Sequence, residues 1–102
     1  MKPIPDGYPQ LTAYLIIDGA SDAIAFYGKV FGARERMRMP APGGKVGHAE
    51  LEFGDALIML ADEFPDMQIK SPKAYGGSPV IVNVYVEDVD SVFAAALEAG
   101  AK

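Results

Sequence analysis

A strand-to-helix grammar is written twice in this chain, and that duplication limits the possible folds more than any other feature. Residues 14–34, YLIIDGASDAIAFYGKVFGAR, run from a β-branched apolar stretch through an acidic turn and an amphipathic helix to Gly-Ala-Arg. Residues 83–102, NVYVEDVDSVFAAALEAGAK, repeat the order and close on Gly-Ala-Lys. The same distance separates Asp22 from Asp90 and Gly32 from Gly100. Ile17 and Val86, ahead of the helices, lie one residue further apart, so the copies differ by one residue in the turn. Self-similarity of this length marks a repeated supersecondary module.

Alternation and punctuation give the elements. Residues 1–10 carry three prolines and a glycine and are expected to form an extended arm. Leu11–Ile17 alternates as a strand, with Thr12, Tyr14 and Ile16 on one face. Asp18-Gly19 turns the chain, and Ser21 or Asp18 suits the cap of the helix that follows. That helix carries the stripe Ala23, Ile24, Tyr27, Val30 and Phe31, and Gly32 suits its left-handed C-cap. Strands are expected over Arg34–Met39, Val46–Phe53 and Ala56–Ala61. In the middle one Ala49, Leu51 and Phe53 face one way, and His48, Glu50 and Glu52 the other. Residues 62–78, with two prolines and a Gly-Gly, suit a linker or a functional lid. Pro79–Val86 alternates as a further strand, with Val80, Val82, Val84 and Val86 on its apolar face. Asp88 caps a second helix with the stripe Val89, Val92, Phe93, Ala96 and Leu97, and Gly100 stops it. The fold class expected is α+β in one domain: a βαβββ module over 11–61, a linker over 62–78, and an incomplete second module, βα only, over 79–102.

Composition excludes several functions. The 102 residues suit one domain, and a net charge of −5 opposes binding to a phosphate backbone. The absence of cysteine removes disulfides, thiolate metal sites and a cysteine nucleophile. No apolar run reaches the roughly 18 residues of a membrane span. The first ten residues lack the apolar core of a signal peptide, so the expected compartment is cytoplasmic.

Strand parity alone nominates the lining of a cavity: Thr12, Tyr14, His48, Glu50, Leu57, Met59, Asn83 and Tyr85. His48 is the single histidine, and His-x-Glu puts it on the same strand face as Glu50. The pair suits an acid/base dyad, part of an atypical metal site, or merely a solvated strand face. One histidine is a thin basis for zinc, which takes three or four protein ligands. Tyr14, Asn83 and Tyr85 suit a small apolar ligand with one or two polar handles, or equally the filling between two modules. Gly43-Gly44-Lys45 does not complete a phosphate-loop motif and suits a hairpin turn. Arg34, Arg36 and Arg38 alternate as a solvated edge face that opposes sheet-to-sheet pairing, with an anionic ligand as the alternative. Met37, Met39, Met59 and Met67 are expected to pack. Asp62, Glu63 and Asp66 suit solvated loop charge.

The segments LTAYLIIDGASDAIAFYGKVFGA, GHAELEFGDALIMLADEFP and VYVEDVDSVFAAALEAGA resemble the vicinal oxygen chelate superfamily, which includes glyoxalase I, bleomycin-resistance proteins, extradiol dioxygenases and methylmalonyl-CoA epimerase. The resemblance covers most of residues 11–101 and looks strongest to the glyoxalase-like, demethylubiquinone-methyltransferase-like subgroup. It implies paired βαβββ modules around a cleft. In metal-dependent members it implies four inward ligands; three fall on Thr12, near Met59 and near Ile81, and the fourth on a strand beyond the second helix. A Thr, a Met and an Ile offer one hydroxyl among them, so no resident metal and no other cofactor is expected.

Three functions follow as expectations. The first is a glyoxalase/bleomycin-resistance-like protein that binds a small organic molecule without a metal through Thr12, Tyr14, Met59, Asn83 and Tyr85. The second is a lyase- or isomerase-type enzyme using His48 and Glu50 as acid and base. The third is an assembly element without a ligand. The unpaired strand edge left by a partial second module suggests a homodimer.

Overall fold

The computed structural model describes residues 3–102. Its regular elements are β1 (Ala13–Ile16), α1 (Ala20–Phe31), β2 (Arg34–Ala41), β3 (Lys45–Phe53), β4 (Ala56–Ala61) and α2 (Val89–Glu98). The four strands form one sheet in the order β1-β4-β3-β2. Tight turns make β2, β3 and β4 an antiparallel meander, and the α1 crossover brings β4 beside β1 in the parallel sense. The first module is therefore βαβββ, inside an α+β fold.

Parity decides what the sheet buries. Ala49, Leu51 and Leu60 face α1 and pack with Ala20, Ile24 and Val46, flanked by Leu15, Ile17, Tyr27, Phe53 and Ile58. Leu51 and Leu60 are almost entirely removed from solvent, and burial of each contributes about 2 kcal/mol. Tyr27, Phe31 and Phe53 close one end of this layer with ring centroids 5.7–6.4 Å apart. Gly32 ends α1 with φ 68°, the left-handed conformation glycine adopts without a Cβ penalty. Asp88 caps α2, its Oδ1 accepting from Ser91 N at 3.1 Å.

Several expectations fail for identifiable reasons. Neither Asp18 nor Ser21 caps α1. The cap comes from Asp62, whose Oδ1 accepts from Gly19 N at 3.2 Å and Ala20 N at 2.9 Å. Asp62 is thus a buried acceptor, not solvated loop charge. A register shift between Glu35 and Met37 breaks the arginine alternation. Arg34 pairs with Glu52, whereas Arg38 turns to the helix side and bonds Glu35 and Ser21. Pro79–Val86 forms no strand. Alternation supplies a suitable surface but no ladder partner, and a strand exists only when its backbone groups are paired. α2 packs along α1, yet none of its residues is buried, and Phe93 of its apolar stripe stays 64% exposed. Met39 and Met67 are exposed as well, so they are not packing residues.

Candidate functional site

The sheet face turned away from α1 carries the polar residues. Register lines up Met37, Glu50, Met59 and Tyr14 in one row across β2, β3, β4 and β1, with Met39 opposite His48 in the adjacent row. Alternation in β3 sends Ala49 and Leu51 to the core, which obliges His48 and Glu50 to share this other face.

Those side chains form one hydrogen-bonded chain. Tyr14 Oη lies 2.8 Å from His48 Nδ1, and His48 Nε2 lies 2.9 Å from Glu50 Oε2. Tyr8 donates its hydroxyl to Glu50 Oε1 at 3.0 Å. Arg36 sets its guanidinium 4.5 Å from the centroid of the Tyr8 ring and donates to Gly7 O at 2.8 Å. Gly7 has φ 80°, and a Cβ there would stand 2.8 Å from Arg36 Nη2. A side chain at position 7 would strain that left-handed backbone and make the Arg36 guanidinium shift.

Glu50 is only 3% exposed. Burial pushes its carboxyl upward, but hydrogen bonds from His48 and Tyr8, with the Arg36 charge nearby, outweigh it, so the pKa is lowered below 4.5. The same contact raises Tyr8, chiefly because its hydroxyl donates to Glu50, with burial adding to the effect. Tyr14 is raised by burial first and then by the Glu50 charge. The chain therefore holds an ionised carboxylate at its centre and protonated phenols at its two ends.

The 62–78 segment folds beside this face. Its two short 3₁₀ turns, Pro65–Met67 and Pro72–Tyr75, and a Phe64–Ile69 bridge bring it against the sheet. A cavity of about 340 Å³ lies between them, lined by Tyr14, Ile16 and Gly47 on the sheet side and Phe64, Lys70 and Tyr75 on the segment side.

Placement of the expected residues is mixed. Tyr14, His48, Glu50 and Met59 come together, and Thr12 precedes β1 by one residue, half-buried. Leu57 lies opposite Glu52 and is buried. Asn83 and Tyr85 do not join them. They line a separate cavity of about 440 Å³ against Leu15, Tyr27, Phe31, Phe53 and Ile58, on the helix side of the sheet. That cavity is larger, but Tyr85 is 94% exposed. Neither cavity is lined by His48 or Glu50; the smaller one is joined to them through Tyr14, which makes it the functional candidate. Tyr8, Phe64, Lys70 and Tyr75 were not nominated by the sequence, and Arg36 was offered only as a solvated edge residue or a partner for an anionic ligand. Parity across β2 hints at Arg36, but nothing local marks Tyr8 or the 62–78 residues as neighbours of β1.

The metal question turns on donor chemistry. Among the described residues no group of three or more His, Asp or Glu side chains stands close enough to hold an ion. Thr12, Met59 and Ile81, where the resemblance puts ligands, offer one hydroxyl among them and do not fit a hard divalent cation.

Similarity to other proteins agrees with the fold. A family model described as the Glyoxalase/Bleomycin resistance protein/Dioxygenase superfamily matches residues 10–102. An uncharacterised protein of Mycobacterium bovis is 43% identical over 96 residues, covering 91% of this chain and 63% of that protein. The chain thus spans less than two-thirds of that relative's length. An X-ray structure of an Arabidopsis thaliana gene product superposes with a TM-score of 0.73 at 23% identity, over 91% of this chain and 74% of that one. The crystal structure of TioX from Micromonospora sp. ML1 superposes with a TM-score of 0.55 at 25% identity, over 90% of this chain and 71% of the other.

Proposed function

This chain belongs to the glyoxalase/bleomycin resistance protein/dioxygenase superfamily, and we propose that within it the protein binds a small organic molecule on the polar sheet face, without a resident metal. The observation that carries this reading is the cavity of about 340 Å³ bounded by Tyr14 on one wall and by Phe64, Lys70 and Tyr75 on the other. Aromatic walls suit a flat apolar body, and the Tyr14 hydroxyl supplies a directional handle. The donor set at Thr12, Met59 and Ile81 supports the metal-free part of the reading. The proposal also takes the protein to be cytoplasmic and homodimeric.

A thermal-shift screen against a panel of small aromatic compounds, with and without added divalent metal, tests it. Stabilisation by at least one compound in the presence of chelator is expected, weakened about tenfold or more by Tyr14→Ala, because that change removes both a wall and the handle. Binding that requires the metal, or that is indifferent to Tyr14→Ala, overturns the reading.

One observation favours a second reading, an enzyme of lyase or isomerase type. The His48–Glu50 pair at 2.9 Å, joined to Tyr14 at 2.8 Å, has the linkage of a general base oriented by a carboxylate. On this reading His48→Gln abolishes turnover of a bound compound while leaving its affinity nearly unchanged.

A further inference from the structure

Glu50 fixes the direction of every hydrogen bond in the chain that leads to the cavity. An ionised carboxylate has no proton to give, so both of its neighbours donate to it. Tyr8 does so at Oε1, and His48 Nε2 lies 2.9 Å from Oε2. Nε2 therefore carries the ring proton. A neutral imidazole has a single N–H, which leaves Nδ1 as an acceptor. Tyr14, with Oη 2.8 Å from Nδ1, donates its only proton there. What remains on the Tyr14 oxygen is acceptor capacity alone.

We infer that Tyr14 reads the hydrogen-bonding sense of the cavity's occupant, selecting a small flat apolar molecule that carries an N–H or O–H donor over an isostere that carries none. This rests on the binding reading above and names the ligand class for the same site. Tyr14 lines the cavity and is 46% exposed, so its oxygen is within reach of an occupant.

The experiment uses the full chain and two readouts. His48 is the only histidine, so long-range ¹H–¹⁵N imidazole spectra of labelled protein report on it alone. A protonated Nε2 and a bare Nδ1 are expected at neutral pH. Titration with indole, which has an N–H, and with benzofuran, which has none, is expected to favour indole roughly fivefold. Tyr14→Phe is expected to equalise the two probes while Glu50 keeps the His48 tautomer unchanged. An Nδ1-protonated ring at neutral pH, or equal affinities in the unmodified protein, overturns the inference. The expected tautomer with neither probe binding overturns the binding reading and the ligand class with it, leaving only the hydrogen-bond directions standing.

Discussion

Three backbone amides from two elements converge on the Asp62 carboxylate: Gly19 and Ala20 at the start of α1, and Val46 in β3. A side chain just past β4 thereby does the capping that residues beside the helix were expected to do. Asp62→Ala would strand all three donors in a buried setting and is expected to cost about 3 kcal/mol of stability by denaturant titration. Asp62→Asn, which keeps one acceptor oxygen, should cost less. Both Asp62 and Glu50 have pKa values lowered in the fold; burial opposes this, and hydrogen bonds outweigh it. A lowered folded pKa means the stabilisation is complete above the unfolded value and is lost as pH falls through the folded one. Stability is thus expected to decline once pH drops below about 4.5, the ordinary glutamate value, and Asp62→Asn should flatten part of that decline. None of this was legible in the sequence. Asp62 and Ala20 are separated by 42 positions, and local rules offered Asp18 and Ser21, both of which lie nearer the helix start.

At the scale of elements, β3 was the most legible. Its alternation predicted both its core side and the common face of His48 and Glu50, because a central strand with partners on either side must obey parity. β2 was less so: its register shift between Glu35 and Met37 moves Arg38 to the helix side, and no local signal announces a bulge in so charged a run. Pro79–Val86 has equally good alternation and forms no strand, since its pairing depends on surfaces outside the segment. Amide hydrogen exchange should separate the two cases. Glu50, Leu51 and Glu52, paired to strands on both sides, are expected to exchange several orders of magnitude more slowly than Ile81–Tyr85. Comparable protection in both stretches would show that the second has found a partner.

For the whole molecule, the uneven coverage of the two modules matters most. The first encloses a core, while Val80, Ile81, Val82, Tyr85 and Phe93 of the second all stay more than half exposed. Exposed apolar side chains in this number are the ground for the homodimer proposed above, and the chain spans only 63% of its Mycobacterium bovis relative. Light scattering at micromolar concentration is expected to give twice the 10.9 kDa of one chain. A monodisperse monomer would remove the homodimer from the proposal. The incomplete second module expected from the sequence already implied an uncovered surface; what it did not foretell is that Pro79–Val86 forms no strand.

The arm that delivers Tyr8 to Glu50 has a practical consequence for anyone handling the protein. It keeps residues 7 and 8 against the polar sheet face, held through Arg36 at Gly7 and through one phenol. An affinity tag that disturbed residues 7 and 8 would uncover Glu50 Oε1 and release Arg36. Tagging after residue 102 leaves that neighbourhood as the polypeptide itself arranges it.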